Sequence, residues 1–126
     1  MYWDLLVKVK NAGAARKKNV RTSYSNLDAS VAGVLVKNGY LKDVKKKLIG
    51  KKKYLDLDLL DQEQEGSAIQ FKIVSKPGRH VYKKVHEFRQ VRQGFGHGVV
   101  STSQGVMTMG EAKKRRLGGE VLFEIW

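Results

Sequence analysis

The spacing of apolar residues switches near Tyr40, and that switch decides what the chain can fold into. Up to Leu35 the apolar positions recur every three or four residues, first as Tyr2, Leu5, Leu6, Val9 and Ala12, then as Leu27, Val31, Val34 and Leu35. Such stripes belong to helices that lay one face on a core. From Tyr40 the period falls to two. Leu55, Leu57 and Leu59 alternate with Asp56 and Asp58, and Ile69, Phe71 and Ile73 alternate with Gln70 and Lys72, the pattern of strands with one buried and one wet face. Helices early and strands late predict an α+β fold.

Punctuation residues divide the pattern further. A short β-type stretch is expected around Val20–Ser23. Ser25 with Asp28 three residues on resembles a capping box at the start of the second helix, and Asn38-Gly39 supplies its stop signal. A strand from Leu41 to about Ile49 turns near Gly50 into the Leu55–Leu59 strand. Five of the 12 acidic residues fall between Asp56 and Glu65, and the polar run Asp61–Gly66 is the natural connection between two halves. Beyond it, Ser75-Lys76-Pro77-Gly78 reads as a β-turn with Val81-Tyr82 on the return strand. Gly94–Gly98 leads into a strand over Gly98–Ser101, Thr102–Gly105 forms a loop, Met109–Arg116 a brief helix, and Gly118-Gly119 breaks it before a final strand, Glu120–Trp126. The expectation is an N-terminal α-β-α-β-β module, residues 1–66, packed against a mostly β C-terminal module with a short helix, residues 67–126.

Several function classes drop out on composition. No apolar run approaches the ~18–20 residues of a membrane span, and Met1-Tyr2-Trp3-Asp4 lacks the basic start of a secretory signal; no membrane partner is expected. Cysteine is absent, which removes disulfides, thiolate metal sites and thiol nucleophiles. Of the three histidines, His80, His86 and His97, no two stand four apart, so neither a metal nor a cofactor is expected. Gly94-x-Gly96-x-Gly98 lacks the Lys-Ser/Thr ending and following helix of a phosphate loop. Ser101 and Ser103 lie near His97, but no strand–elbow–helix context or orienting carboxylate accompanies them. The chain is not expected to be an enzyme.

What remains is charge. The 126 residues carry 25 Lys+Arg against 12 Asp+Glu, a formal net charge of +13. Much of it sits in four runs, Arg16-Lys17-Lys18, Lys45-Lys46-Lys47, Lys51-Lys52-Lys53 and Lys113-Lys114-Arg115-Arg116. One run solubilises a surface; four point to phosphate contacts, which position a protein on nucleic acid without reading sequence. Selectivity needs shorter-ranged groups. Ser101-Thr102-Ser103-Gln104-Gly105 offers hydroxyls, an amide and a close-approach glycine, suited to ribose 2′-hydroxyls and exposed base edges. The same run also suits a turn that caps the helix near Met109. Tyr82, beside Arg79 and Lys83, is either a stacking platform or a half-buried strand tyrosine.

Longer motifs carry a resemblance. Ser75-Lys76-Pro77-Gly78-Arg79-His80-Val81-Tyr82, then Gly96–Thr108 with Glu111-Ala112, then Gly118-Gly119-Glu120-Val121-Leu122-Phe123-Glu124-Ile125-Trp126 resemble the bacterial-type ribosomal protein S8 family. Asp4-Leu5-Leu6, Asn11-Ala12, Ala15-Arg16 and Asn38–Val44 extend the resemblance over the first half. It implies a two-domain α+β protein of the small ribosomal subunit, in the cytoplasm or alternatively in an organelle, that binds the central domain of small-subunit rRNA and helps assemble the platform. Neighbouring ribosomal proteins S5 and S12 are implied as partners, and repression of its own operon mRNA is the alternative role. The resemblance implies RNA contacts at Ser101, Thr102, Ser103 and Gly105 and at Ser75, Lys76, Pro77 and Gly78, with Arg79 and Tyr82 nearby; Gln104, Lys83, Gly118, Gly119, Glu120, Asn11, Arg16, Lys17 and Lys18 are further candidate contacts. The chain departs from the family where Ser23–Asp28 replaces a Pro-x-Ser-Lys pattern, and in the extra lysines of its second and third strands.

Overall fold

A computed structural model describes residues 2–15, 17–59, 70–76, 78–89 and 96–126. It divides into two compact units, Met1–Ile69 and Gln70–Trp126. The expected connection Asp61–Gly66, the strand residue Ile69 and the glycine Gly94 lie outside the described residues, as do Arg16 and Pro77.

In the first unit, α1 (Tyr2–Ala14), β1 (Asn19–Ser23), α2 (Asn26–Lys37), β2 (Asp43–Ile49) and β3 (Lys52–Asp58) follow in the expected order. Every apolar position read for α1, from Tyr2 to Ala12, is buried. Ser25 is the N-cap of α2: its Oγ accepts the Asp28 N–H at 3.0 Å, so an otherwise orphan donor of the first turn is satisfied. At the other end the Asn38 side chain donates to Val34 O at 2.8 Å, and Gly39 adopts φ +83°. The chain then wraps back, with Tyr40 and Leu41 both donating to Leu35 O. Leu41 is therefore part of the helix closure, and β2 starts two residues later than the apolar pattern implied.

The three strands are antiparallel in the order β1-β3-β2. Register places Val20, Leu57 and Val44 in one row and Thr22, Leu55 and Lys46 in another on the same face. Leu55 and Leu57 are buried with Leu5, Leu6, Val31 and Leu35. The opposite face carries Arg21, Asp56 and Lys45 in one row and Ser23, Tyr54 and Lys47 in the next. There Arg21 grips both oxygens of Asp56, Nε to Oδ1 at 2.8 Å and Nη2 to Oδ2 at 3.3 Å, and Lys47 Nζ lies 3.1 Å from the same Oδ2. The Arg21 hydrogen bond, with Lys47 behind it, holds the Asp56 carboxyl below its ordinary pKa.

The second unit is a sheet with one short helix: β4 (Phe71–Ile73), β5 (Tyr82–Lys83), a 3₁₀ turn (Val85–Glu87), β6 (His97–Thr102), β7 (Gly105–Thr108), α3 (Met109–Lys114) and β8 (Gly119–Ile125). The strand order is β4-β8-β6-β7, and β5 also pairs with β8. Val100, Met107 and Val121 on the sheet meet Met109 and Ala112 of α3 and Phe88 in one apolar cluster. Thr108, not the serine run before it, caps α3, its Oγ1 accepting the Glu111 N–H at 3.3 Å.

Four expectations need correction here. β4 and β5 do not form the expected hairpin, because both run antiparallel to β8 and so share a direction. The turn closes one residue later than expected, across Lys76 and Arg79, whose N–H and C=O groups pair reciprocally at 2.9 Å. The loop over Thr102–Gly105 shrinks to Ser103-Gln104, since β6 continues through Thr102 and β7, absent from the sequence reading, begins at Gly105. And α3 stops at Lys114, with Arg116 at φ 58° beyond it. A four-residue strand with one tight turn leaves too short a pattern for periodicity to detect.

Candidate nucleic-acid interface

A β-bulge sets the site. Val99 pairs with Phe123 but Val100 pairs with Val121, so β8 carries Leu122 as the extra residue. The Leu122 carbonyl turns to β8's other edge and accepts the N–H groups of Val74 and Ser75 at 3.1 and 3.2 Å. After the bulge Ser101 stands opposite Glu120, and Glu120 opposite Tyr82. Val106, Ser101, Glu120 and Tyr82 thereby form one row across four strands, and side chains in one row share a face.

At the end of that row β6 and β7 join through Ser103-Gln104. Thr102 holds the turn: its Oγ1 donates to Gly105 O at 2.8 Å and accepts the Gln104 N–H at 3.1 Å. Gly105 takes φ +116°, a region that L side chains rarely enter. Ser103 is exposed and makes no hydrogen bond among the described residues. The three hydroxyls of the run are thus unequal. Ser103 is presented outward, Ser101 is half-buried in the row, and Thr102 spends its hydroxyl on the backbone of the turn.

Gly119 explains how β6 and β8 come so close. A Cβ there would collide with the Ser101 carbonyl oxygen, and would lie 3.0 Å from Ser101 C and 3.3 Å from Thr102 Cα. A Cβ on Gly118 would lie 2.8 Å from Lys83 O. The glycine pair therefore joins the Ser101–Gly105 segment to the Tyr82-Lys83 segment through backbone contact alone. Glu120 is less a ligand group than a support: its Oε1 accepts from His80 Nδ1 at 2.7 Å.

Of the expected residues, Ser101–Gly105, Gly118–Glu120, Tyr82 and Lys83 converge at this end of the sheet. Tyr82 is 72% exposed, so it is not a half-buried strand tyrosine. Ser75 behaves differently from its neighbours. It is buried, and its Oγ donates to Val121 O at 2.5 Å and accepts the Val81 N–H at 3.0 Å. That hydroxyl ties the Lys76–Arg79 turn to β8 and is not offered to a ligand. Lys76, Gly78 and Arg79 are exposed beyond it. Asn11, Lys17 and Lys18 are exposed in the other unit, on and just after α1.

Two contributors were not foreseen. Arg115 reaches back from α3, with Nη2 3.1 Å from Glu111 Oε1 and Nη1 donating to Gln104 Oε1 at 3.4 Å, so a helix side chain steadies the turn. The i,i+4 spacing of Glu111 and Arg115 was visible in the sequence, but its link to Gln104 was not. His80 is the second; its partner lies 40 residues away, beyond any local signal. Among the described residues no three His, Asp or Glu side chains gather as a metal site, and no helix is long and apolar enough to cross a membrane.

Comparison with known proteins agrees with the motifs. A family model described as ribosomal protein S8 matches residues 2–126. The chain is 39% identical to the small ribosomal subunit protein uS8 of Mycoplasmopsis agalactiae, over 98% of this chain and 94% of that protein. It is 40% identical to the uS8 of a Sulfurovum species, covering 98% and 95%. It is 32% identical to a protein named uS8c from Welwitschia mirabilis, covering 98% and 96%.

Proposed function

Since the chain belongs to the ribosomal protein S8 family, a family of structural ribosomal proteins rather than enzymes, we propose that it binds the central domain of small-subunit rRNA through the β6–β7 turn and the strand ends beside it. The observation that carries the reading is the Ser103-Gln104 turn. It is exposed, yet pinned by Thr102, Gly105, Arg115 and the backbone approach at Gly119. A turn held this firmly loses little conformational freedom on binding, so its hydroxyl, amide and backbone groups meet an RNA edge without an ordering cost.

Cationic groups around the turn supply attraction and orientation. Lys76, Arg79, Lys84, Arg115 and Arg116 are exposed in the same unit, and Tyr82 presents a ring on which an unstacked base can lie. Lys17 and Lys18 add phosphate contacts from the other unit. The chain then works as a constituent of the small subunit of a cytoplasmic ribosome, beside other subunit proteins such as S5 and S12. Co-sedimentation with small subunits separates this role from free repression of its own operon mRNA, in which the chain stays in the light fractions.

The direct test measures affinity for a central-domain rRNA fragment at fixed salt. Replacing Thr102 and Ser103 together by alanine is expected to cost ~1–3 kcal/mol of binding, the worth of lost polar contacts and a loosened turn. Ser103→Ala alone gives the share that does not pass through the turn's own hydrogen bonds. An unchanged dissociation constant for the double variant removes the turn from the interface.

A further inference from the structure

We propose that the hairpin of β2 and β3 is a second RNA-binding element, an arm that enters a groove with phosphates on both walls. The inference rests on the family reading above, but not on the β6–β7 turn, which belongs to the other unit.

Every residue from Lys45 to Lys53 is exposed. Residues 44–55 hold six lysines and no acid. Among the described residues only one of the six has a carboxylate partner, Lys47 with Asp56. β1 pairs with β3 only from Tyr54 onward, so the segment beyond is a two-stranded ribbon, Leu48 opposite Lys53 and Ile49 opposite Lys52. Alternation puts the lysines on both faces. Lys46 and Lys53 share a face with Leu48, whereas Lys45, Lys47 and Lys52 share the other with Ile49.

A solubilising role does not account for this. Lysine on an exposed edge strand does block strand-to-strand aggregation, but one or two on β2 suffice, and the Lys51–Lys53 run lies in the turn and on β3. Nor does that role explain Leu48 and Ile49, which are 66% and 50% exposed at the ribbon's end. Crowding like charges around an exposed apolar tip is unfavourable in water and favourable in a groove lined with phosphates. There the lysines reach phosphates on either side, and the aliphatic tip packs on riboses or unstacked bases. A ribbon laid flat on one phosphate row would use only half the lysines. The base is braced for such a task. Tyr24 lies under Lys46 Nζ at 4.6 Å and Lys53 Nζ at 5.9 Å, and the Tyr24 N–H donates to Lys53 O at 3.2 Å.

The test is the salt dependence of binding to intact small-subunit rRNA, using the full chain. Lys51, Lys52 and Lys53 are replaced together by glutamine, and a control loses the same charge from the scattered, exposed Lys8, Lys37 and Lys72. Each phosphate contact contributes close to 0.9 to the slope of log affinity against log salt on a duplex. The arm variant is expected to lower the magnitude of the slope by about 2–3 and to weaken binding at least tenfold near 0.1 M salt, with the control close to wild type. A Leu48→Ala, Ile49→Ala double variant is expected to weaken binding several-fold with the slope unchanged. An arm variant with the wild-type slope overturns the proposal, as does a control that falls equally, and the arm then serves an acidic protein surface or none. Failure of the wild-type chain to bind the RNA at all overturns the proposed rRNA-binding role instead, so the two are distinguishable.

Discussion

Gly119→Ala tests the claim that backbone approach, not side-chain chemistry, assembles the site. The added methyl has no flexible neighbour to push aside, because the atoms it meets are the Ser101 carbonyl oxygen, Ser101 C at 3.0 Å and Thr102 Cα at 3.3 Å. Ordinary carbon contacts lie near 3.5–4.0 Å, so β6 and β8 must part by roughly 1 Å at this point. Overpacking of this kind costs about 1–3 kcal/mol, and the weakened Ser101–Glu120 pairing adds up to about 1 kcal/mol. Trp126, at the end of β8 and paired with Gln70 at 3.0 and 3.1 Å, reports unfolding of this unit once Trp3 is replaced by Phe. With a urea m-value of about 1–3 kcal/mol/M, a total cost of about 1–4 kcal/mol lowers the midpoint by roughly 0.3–4 M. RNA affinity falls with it, although no contacting side chain has changed. Gly110→Ala, where a Cβ meets nothing within 4 Å, serves as the control and is expected to be neutral or stabilising by about 0.5 kcal/mol. If Gly119→Ala unfolds at the wild-type midpoint, the close approach is not structurally required and the account of Gly118-Gly119 is wrong.

Other substitutions probe separate links. Ser75→Ala leaves Val121 O and the Val81 N–H without their shared partner; a loss of about 1–3 kcal/mol is expected in the same urea assay, with RNA affinity following stability and not exceeding it. Ser25→Ala removes the cap of α2 and is expected to cost ~1 kcal/mol, seen as faster amide exchange in the first turn of that helix. Asp56 has its pKa depressed in the folded state by Arg21 and Lys47, so its contribution is present above the ordinary carboxylate range and is lost as pH falls through the lowered value. Asp56→Asn is therefore expected to lower the urea midpoint at pH 7, with the gap to wild type narrowing as pH falls below the ordinary carboxylate range; a gap that does not narrow contradicts the ion-pair account.

Much of the fold was legible because its signals are local. The α1 stripe, the Ser25 cap, the Asn38-Gly39 stop and the Leu55–Leu59 alternation each fall within a dozen residues, and each reports burial or a backbone requirement directly. Features whose partners lie far apart in the chain carry no such local signal. Nothing local says that β4 and β5 both choose β8, because strand partnership depends on what else the sheet offers. Periodicity also passed over β7, four residues long and next to a turn.

The candidate site divides along the same physical line. The chain's residues alone determined its charge, its freedom from cysteine, and a hydroxyl-rich run with a glycine at its end, since these are properties of composition and spacing. Only the tertiary structure decided which hydroxyl faces outward. Ser75 and Thr102 are as polar as Ser103, but backbone groups brought to them by the sheet consume their hydrogen bonds. A hydroxyl becomes a contact group when folding leaves it unsatisfied at a surface, and that depends on the neighbours that three-dimensional packing provides.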